Sequence, residues 1–170
     1  MPTSSFDFEL AAVWPRLRRF AQALTRDQAD ADDLAQMAAE KAFRSFSQYS
    51  PGSRFDSWIF RICRTVWIDT IRSRSRRSAH ERAETEIGEL GHDPSPSIEA
   101  GIDLARAVAA MQRLPEEQRE VVALILIEGF GYREASEILG QPIGTVSSRL
   151  ARGRQALLAM LGEGGRADGR

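Results

Sequence analysis

The chain has little of what most chemistry requires. Of 170 residues, one is cysteine and two are histidine. Cys63 cannot form an internal disulfide, and at an apolar helical position it reads as packing. His80 and His92 have no second cysteine and no ligand-spaced partner, so no metal site is expected. The chain also lacks a glycine-rich phosphate loop, a serine or cysteine beside a histidine in a structured context, and an HExxH motif. The paired acids Asp32-Asp33 and Glu116-Glu117 are consecutive, so each pair diverges around its helix and cannot share one site. An enzyme, a cofactor and a small-molecule substrate are therefore not expected. No apolar run is long enough to span a bilayer and no secretory pattern opens the chain, which points to work in the cytoplasm.

A surplus of one charge is missing as well. Lysine and arginine number 23 against 24 aspartates and glutamates, so the overall charge announces no polyanionic partner. The distribution is more telling. Arg61 to Arg77 holds six arginines against Asp69 alone, and Ser78 to Gly101 holds six acids against Arg82 alone. Separated charge of this kind sets local fields, while near-neutrality overall avoids indiscriminate gripping of nucleic acid.

What is present is a helix-turn-helix pattern from Gly131 to Arg154. Counting from Tyr132, Ser136 is the small residue where two helices cross, Gly140 is the turn residue able to take a positive φ, and Val146 faces inward. Pro142 suits the opening of the second helix. Along that helix Ile143, Val146, Leu150, Gly153 and Leu157 share one side, expected to pack on the first helix through Ile138 and Leu139. The other side carries Gly144, Ser148, Ala151 and Gln155, flanked by Thr145, Ser147 and Arg152. It has no acid and no large apolar group. Such a face can enter a major groove and offer hydroxyls and a guanidinium to base edges, with Arg149 and Arg154 projecting toward phosphates.

The rest of the chain is also helical in period. Leu10, Val13, Trp14, Leu17, Ala21 and Leu24 form a stripe interrupted by Pro15, so either two helices meet there or one is bent. Arg16, Arg18 and Arg19 fall on its wet side. A second helix spans Asp30 to Phe46, with Ala35, Ala38, Ala39, Ala42, Phe43 and Phe46 inward and Asp33, Gln36 and Glu40 outward. Its acids Asp30, Asp32 and Asp33 suit a helix start, or a docking face for a basic helix. After the loop Ser47 to Arg54, a third helix runs from Phe55 to about Arg74. Ile59, Ile62, Cys63, Val66 and Thr70 are its buried stripe, and Arg61, Arg64, Thr65, Ile68 and Arg72 cluster opposite. Trp58, Phe60 and Trp67 lie between; such rings are more often core than platform for an unpaired base, so a role in binding a single strand rests on the arginine face and not on the rings. Residues 78–101 carry prolines, glycines and acids without a periodic apolar pattern, as in a flexible linker. Beyond it Leu104, Ala107, Val108 and Met111 resume helical spacing. Leu114-Pro115 then opens a helix holding Val121, Val122, Leu124, Ile125 and Ile127, which Gly129 ends. Gly162 to Arg170 looks like a loose tail.

The segments DADDLAQMAAEKAF at Asp30 to Phe43, FDSWIFRICRTVWIDTIR at Phe55 to Arg72, and LPEEQREVVAL with the helix-turn-helix, in this order, resemble the bacterial sigma factors of the extracytoplasmic function group. The resemblance implies an all-α chain of two small helical domains. A region-two bundle would occupy residues 1–77 and a region-four helix-turn-helix unit residues 102–162, joined by the acidic linker 78–101 and followed by the tail 163–170. It implies binding to core RNA polymerase through Asp33, Gln36, Met37 and Glu40. It implies opening of a minus-ten promoter element by Ser50, Arg54, Trp58, Arg61, Arg64, Thr65, Ile68 and Arg72, with the Ser47 to Arg54 loop holding a flipped base. It implies reading of a minus-thirty-five element by Thr145, Ser147, Ser148, Ala151 and Arg152, with Arg149 and Arg154 toward the backbone, and silencing by an anti-sigma partner. The linker would thread near the polymerase active site. The family often has asparagine at Thr65 and a basic residue at Ser147, and Ala135-Ser136 replaces its usual Ile-Ala pair, so contacts at both elements are expected to differ. A stand-alone helix-turn-helix regulator is the rival, but it would leave Arg61 to Arg72 unexplained.

Overall fold

Apolar residues spaced three and four apart, punctuated by Gly, Pro and Ser segments, specify helices that must bury one stripe each. The computed structural model describes residues 2–50, 52–81 and 100–164, and no strand occurs among them. The chain divides into two units, Met1–Gly91 and His92–Arg170. Most of the expected linker with His92 (residues 82–99), the side chain of His80, and residues 165–170 of the expected tail lie outside the described residues.

In the first unit, α1 (Pro2–Thr25), α2 (Gln28–Arg44) and α3 (Phe55–Glu81) pack around one core. Leu17, Phe20, Ala21 and Leu24 of α1 meet Leu34, Ala35, Ala38 and Ala42 of α2 and Ile59, Phe60, Cys63 and Trp67 of α3, all buried. The alanines of α2 let its neighbours approach closely, and Phe20 stacks on Phe60 at 5.1 Å between ring centroids. Each fully buried large side chain here contributes roughly 1.5–3 kcal/mol over exposure. Burial also pushes the Cys63 thiol up to about 12, which agrees with a packing role. Pro15 sits inside α1 without ending it, so the two-helix alternative is not what forms. Arg26, at φ 66, closes α1. Asp27 then caps α2 by accepting from the Asp30 N–H at 2.9 Å.

Four expectations change in this unit. The second helix ends at Arg44, so Phe46 is not part of its inner face and stands half-buried in the turn that follows. Phe43 is not core: it is 53% exposed and touches Phe6 edge-on at 5.4 Å, because Phe6, four residues before Leu10 where the expected stripe begins, is buried there instead. Arg16 is not on the wet side but half-buried against α3. The third helix continues past Arg74 to Glu81, since no glycine or proline interrupts Ser73 to Glu81 and exposed arginines propagate a helix well.

In the second unit, α4 (Ala100–Arg113), α5 (Glu116–Val122), α6 (Tyr132–Leu139) and α7 (Ile143–Gly164) share a core of Leu114, Val121, Val122, Leu124, Phe130, Ala135, Ile138, Leu139, Val146 and Leu150. Pro115 is the N-cap of α5. The Arg119 guanidinium, 2% exposed, donates to the Leu114 carbonyl at 2.8 Å. After Val122 the helix widens into a π-helical turn, Ala123–Ile127, with the Glu128 N–H reaching the Ala123 carbonyl at 2.9 Å. The wider turn rotates the apolar register, so Ile127, expected inside, is 48% exposed. Ile143 is likewise 49% exposed, being the first residue of α7 and ahead of the part that packs. Leu104 and Val108 of α4 are exposed too. Gly129 turns the chain at φ 76 and Gly140 at φ 61, a region an L side chain resists. The inner face of α7 rests on α5 as well as on α6. At Gly153 an added Cβ would meet Val122 Cγ2 at 2.7 Å, so only glycine permits this crossing.

Candidate nucleic-acid interfaces

On α3, residues 61, 65, 68 and 72 recur at three and four, so one helix surface carries Arg61, Thr65, Ile68 and Arg72 together. Arg61, Thr65 and Arg72 are exposed and Ile68 is half-buried. The Thr65 hydroxyl donates to the Arg61 carbonyl at 2.9 Å, which leaves its oxygen able to accept. Arg64 is half-buried beside this surface. Of the three aromatics that could have been core or platform, Phe60 and Trp67 are core. Trp58 is half-buried and stands in a cluster with Phe46, Tyr49 and Phe55, its ring 5.2 Å from that of Tyr49.

The Ser47 to Arg54 loop is held from within. A short 3-10 turn, Phe46–Gln48, leads into Tyr49, whose hydroxyl donates to the Ser53 carbonyl. Ser53 Oγ donates to the Ser50 carbonyl at 2.8 Å, and Gly52 takes φ 92. Ser50 is exposed. Arg54 does not extend freely: its Nη2 lies 2.7 Å from Asp56 Oδ2, and Arg16 of α1 donates to the same carboxylate at 3.0 Å. Burial alone would raise the Asp56 carboxyl. Hydrogen bonds from Arg54, Arg16 and the Ser57 N–H outweigh it and hold the group below the ordinary 3.8. These residues line an open pocket of about 370 Å³ with Tyr49, Ser53 and Phe55. Tyr49 and Ser53 fall within the expected Ser47 to Arg54 loop without being singled out there, and Asp56 lies outside the residues expected from sequence. Arg54-x-Asp56 was a local signal; Arg16, 40 positions away, gave none.

On α2 the acids separate by role. Asp30 accepts from Arg74 at 3.1 Å through both guanidinium nitrogens, and Asp32 lies 2.6 Å from Arg18. Both tie α2 to a neighbouring helix. Asp33, Gln36, Met37 and Glu40 remain exposed along one surface, with Met37 49% exposed. Gln36 donates to Glu40 at 3.4 Å. Helix start and outward acid therefore both apply, to different residues.

Helix α7 follows Gly140 and the bond from Ser136 Oγ to the Gln141 carbonyl. Ser147, Ser148, Ala151, Arg152 and Arg154 are exposed and Thr145 is half-buried. Ser148 donates to the Thr145 carbonyl at 3.0 Å, and no acid stands on this surface from Pro142 to Gln155. Arg149 does not project outward. Its side chain is 16% exposed, with Nη2 2.8 Å from Glu117 Oε2 and Nη1 donating to Gln141 Oε1. Among the described residues no cluster of His, Cys, Asp or Glu could hold a metal ion, and no helix is long and apolar enough to cross a membrane.

A family model described as Sigma-70 region 2 matches residues 11–77, and one described as Sigma-70, region 4 matches residues 104–157. The chain is 33% identical over 159 residues to the ECF RNA polymerase sigma factor EcfG of Rhodopseudomonas palustris, covering 94% of this chain and 86% of that one. It is 38% identical over 147 residues to the ECF RNA polymerase sigma factor SigE of Mycolicibacterium smegmatis, covering 84% of this chain and 56% of that longer one. Among solved structures, the sigma factor RpoE of Bartonella quintana, crystallised with the anti-sigma factor NepR, matches with a TM-score of 0.81 and 32% identity over 92% of this chain and 96% of that one. Both sigma-70 regions in order, and relatives aligned over nearly the full length, place this chain among the ECF RNA polymerase sigma factors, which direct core polymerase to promoters.

Proposed function

We propose that the two units divide the work of initiation. Residues 1–77 dock on core polymerase through Asp33, Gln36, Met37 and Glu40 and open the minus-ten element. Residues 102–162 read the minus-thirty-five element, and 78–101 serve as the acidic linker between them. The observation carrying this division is a pair of exposed helix surfaces, an arginine-rich one on α3 (Arg61, Thr65, Arg72) that Asp69 borders and an acid-free one on α7 (Ser147, Ser148, Arg152). The α3 surface adjoins half-buried Arg64, Ile68 and Trp58, chemistry suited to the phosphates and exposed bases of a melted strand. Arg54, anchored by Asp56, and Ser50 border the loop that receives a flipped base. The α7 surface is narrow and offers hydroxyls and one guanidinium, which suits base edges in a major groove, with Thr145 and Arg154 beside it at the backbone.

The chain itself performs no reaction, works in the cytoplasm and is held inactive by an anti-sigma partner. The complex of a 32% identical sigma factor with an anti-sigma factor supports that last point. The test is transcription in vitro from a genomic library with core polymerase, with and without the chain. Initiation that depends on the chain, at start sites sharing two upstream elements, is expected. Arg152→Ala should then lower use of the selected promoter by about 1–3 kcal/mol and leave a promoter with a scrambled minus-thirty-five element unchanged. Transcription indifferent to the chain would end the proposal.

A further inference from the structure

A reading helix is useful only at one angle, because a bidentate contact to a base edge tolerates little displacement. Side chains on the inner face and the flank of α7 set that angle. Its inner face is apolar, with buried Val146, Leu150 and Gly153 seated on α5 and α6, and such packing fixes how closely the helices approach but supplies no directional bond. A polar contact on the flank of the helix adds a direction. Arg149, on the flank of α7, reaches back to Glu117 in the first turn of α5 with Nη2–Oε2 at 2.8 Å, and its other terminal nitrogen donates to the Gln141 side chain in the helix-turn-helix turn. Gln141 is itself held by its backbone, its carbonyl accepting from Ser136 Oγ and its N–H donating to the Ser136 carbonyl at 3.1 Å. One guanidinium thus joins three pieces of the unit: the start of α5, the turn, and the reading helix. A planar fork with fixed donor directions suits this role, whereas a lysine could not hold both partners in one geometry.

The two ends differ in exposure. The Arg149 side chain is 16% exposed and Glu117 68%. The arginine has therefore left solvent for this contact, and an exposed acid on another helix compensates it. A phosphate-binding arginine would have the opposite arrangement, extended and ready for an external anion. The sequence pattern alone puts Arg149 on the outward flank; the tertiary fold turns its head group inward.

We infer that Glu117, Arg149 and Gln141 form a strut that positions α7, so that Glu117 and Gln141 govern minus-thirty-five discrimination without touching DNA. Arg149 is here a positioning residue. The inference rests on the proposed reading of that element by α7.

The test compares holoenzyme carrying the wild-type chain, E117Q, R149A and the double variant, on a promoter the chain uses and on the same promoter with its minus-thirty-five element scrambled, over a salt series. Thermal unfolding of each free chain is followed in parallel. The strut predicts that E117Q, a near-isosteric change at an exposed position, lowers the ratio of promoter to scrambled binding at least threefold with little change in Tm. It also predicts that E117Q adds nothing once Arg149 is removed. A merely structural pair would move Tm and leave the ratio alone. Wild-type discrimination in E117Q, or losses that add in the double variant, overturns the strut. If R149A then weakens both DNAs alike and makes the log–log salt slope shallower by about one, Arg149 is a phosphate contact instead. Nuclear magnetic resonance of the free chain judges the strut apart from promoter reading. Guanidinium N–H signals of Arg149 that are slowed in wild type and averaged in E117Q support it, and signals averaged in both overturn it whether or not α7 reads the element.

Discussion

At the scale of single residues, Asp56 shows how one side chain can serve both the fold and the site. Its carboxylate, 16% exposed, takes Arg16 from α1 and Arg54 from the loop, and so ties the loop's end to the body of the first unit. Asp56→Asn should lower the stability of that unit at pH 7 by about 1–2 kcal/mol, in the range for hydrogen bonds to a charged group after allowance for solvent. Because the folded-state pKa is depressed below the ordinary 3.8, this stabilisation is fully present above that unfolded-state value and is lost as pH falls through the lower folded value. Urea unfolding at pH 7, 5 and 3 should therefore show the gap between wild type and variant intact at the first two and shrunken at the third. A gap independent of pH would mean that the carboxylate charge is not what matters. Arg16 was assigned to solvent from its helical position. That assignment failed because the Asp56 that recruits it is 40 residues away, and no local pattern encodes such a meeting.

At the scale of elements, Gly144 and Gly153 of α7 have opposite roles. Gly144 is exposed with nothing within 4 Å of an added Cβ, whereas Gly153 lies against buried Val122. Gly144→Ala should raise the stability of the second unit by about 0.5 kcal/mol, through reduced backbone entropy of the unfolded chain. Gly153→Ala should lower it by about 1 kcal/mol, as overpacking against a stiff β-branched neighbour outweighs the same gain. Thermal unfolding of the two variants should shift in opposite directions; shifts of the same sign would refute the close crossing of α5 and α7. Periodicity found the seven α-helices of the described residues, because the apolar stripe is a local property of the chain. It erred where helices depart from 3.6 residues per turn or outrun their expected ends: at the π-helical turn that exposes Ile127, at the first residue of α7, and along α3 to Glu81.

At the scale of the whole molecule, each unit presents a polar surface that its own core does not use. If the α2 surface docks on a basic helix of polymerase, Asp33→Arg should weaken association with core enzyme by about 2 kcal/mol or more, while thermal stability changes by no more than about 0.5 kcal/mol, since Asp33 is exposed. Undiminished co-purification with core enzyme would remove that surface from the docking face. The sequence by itself determined the all-helical class, the helix-turn-helix with its acid-free outer side, and the family, because these depend on residue order and spacing over short stretches. Only the tertiary structure decided which acids of α2 are spent on Arg18 and Arg74, which aromatics remain beside the loop, and that Arg149 turns inward to Glu117. A charged side chain is long enough to choose among partners on several helices, and that choice is settled only when folding brings distant opposite charges within reach.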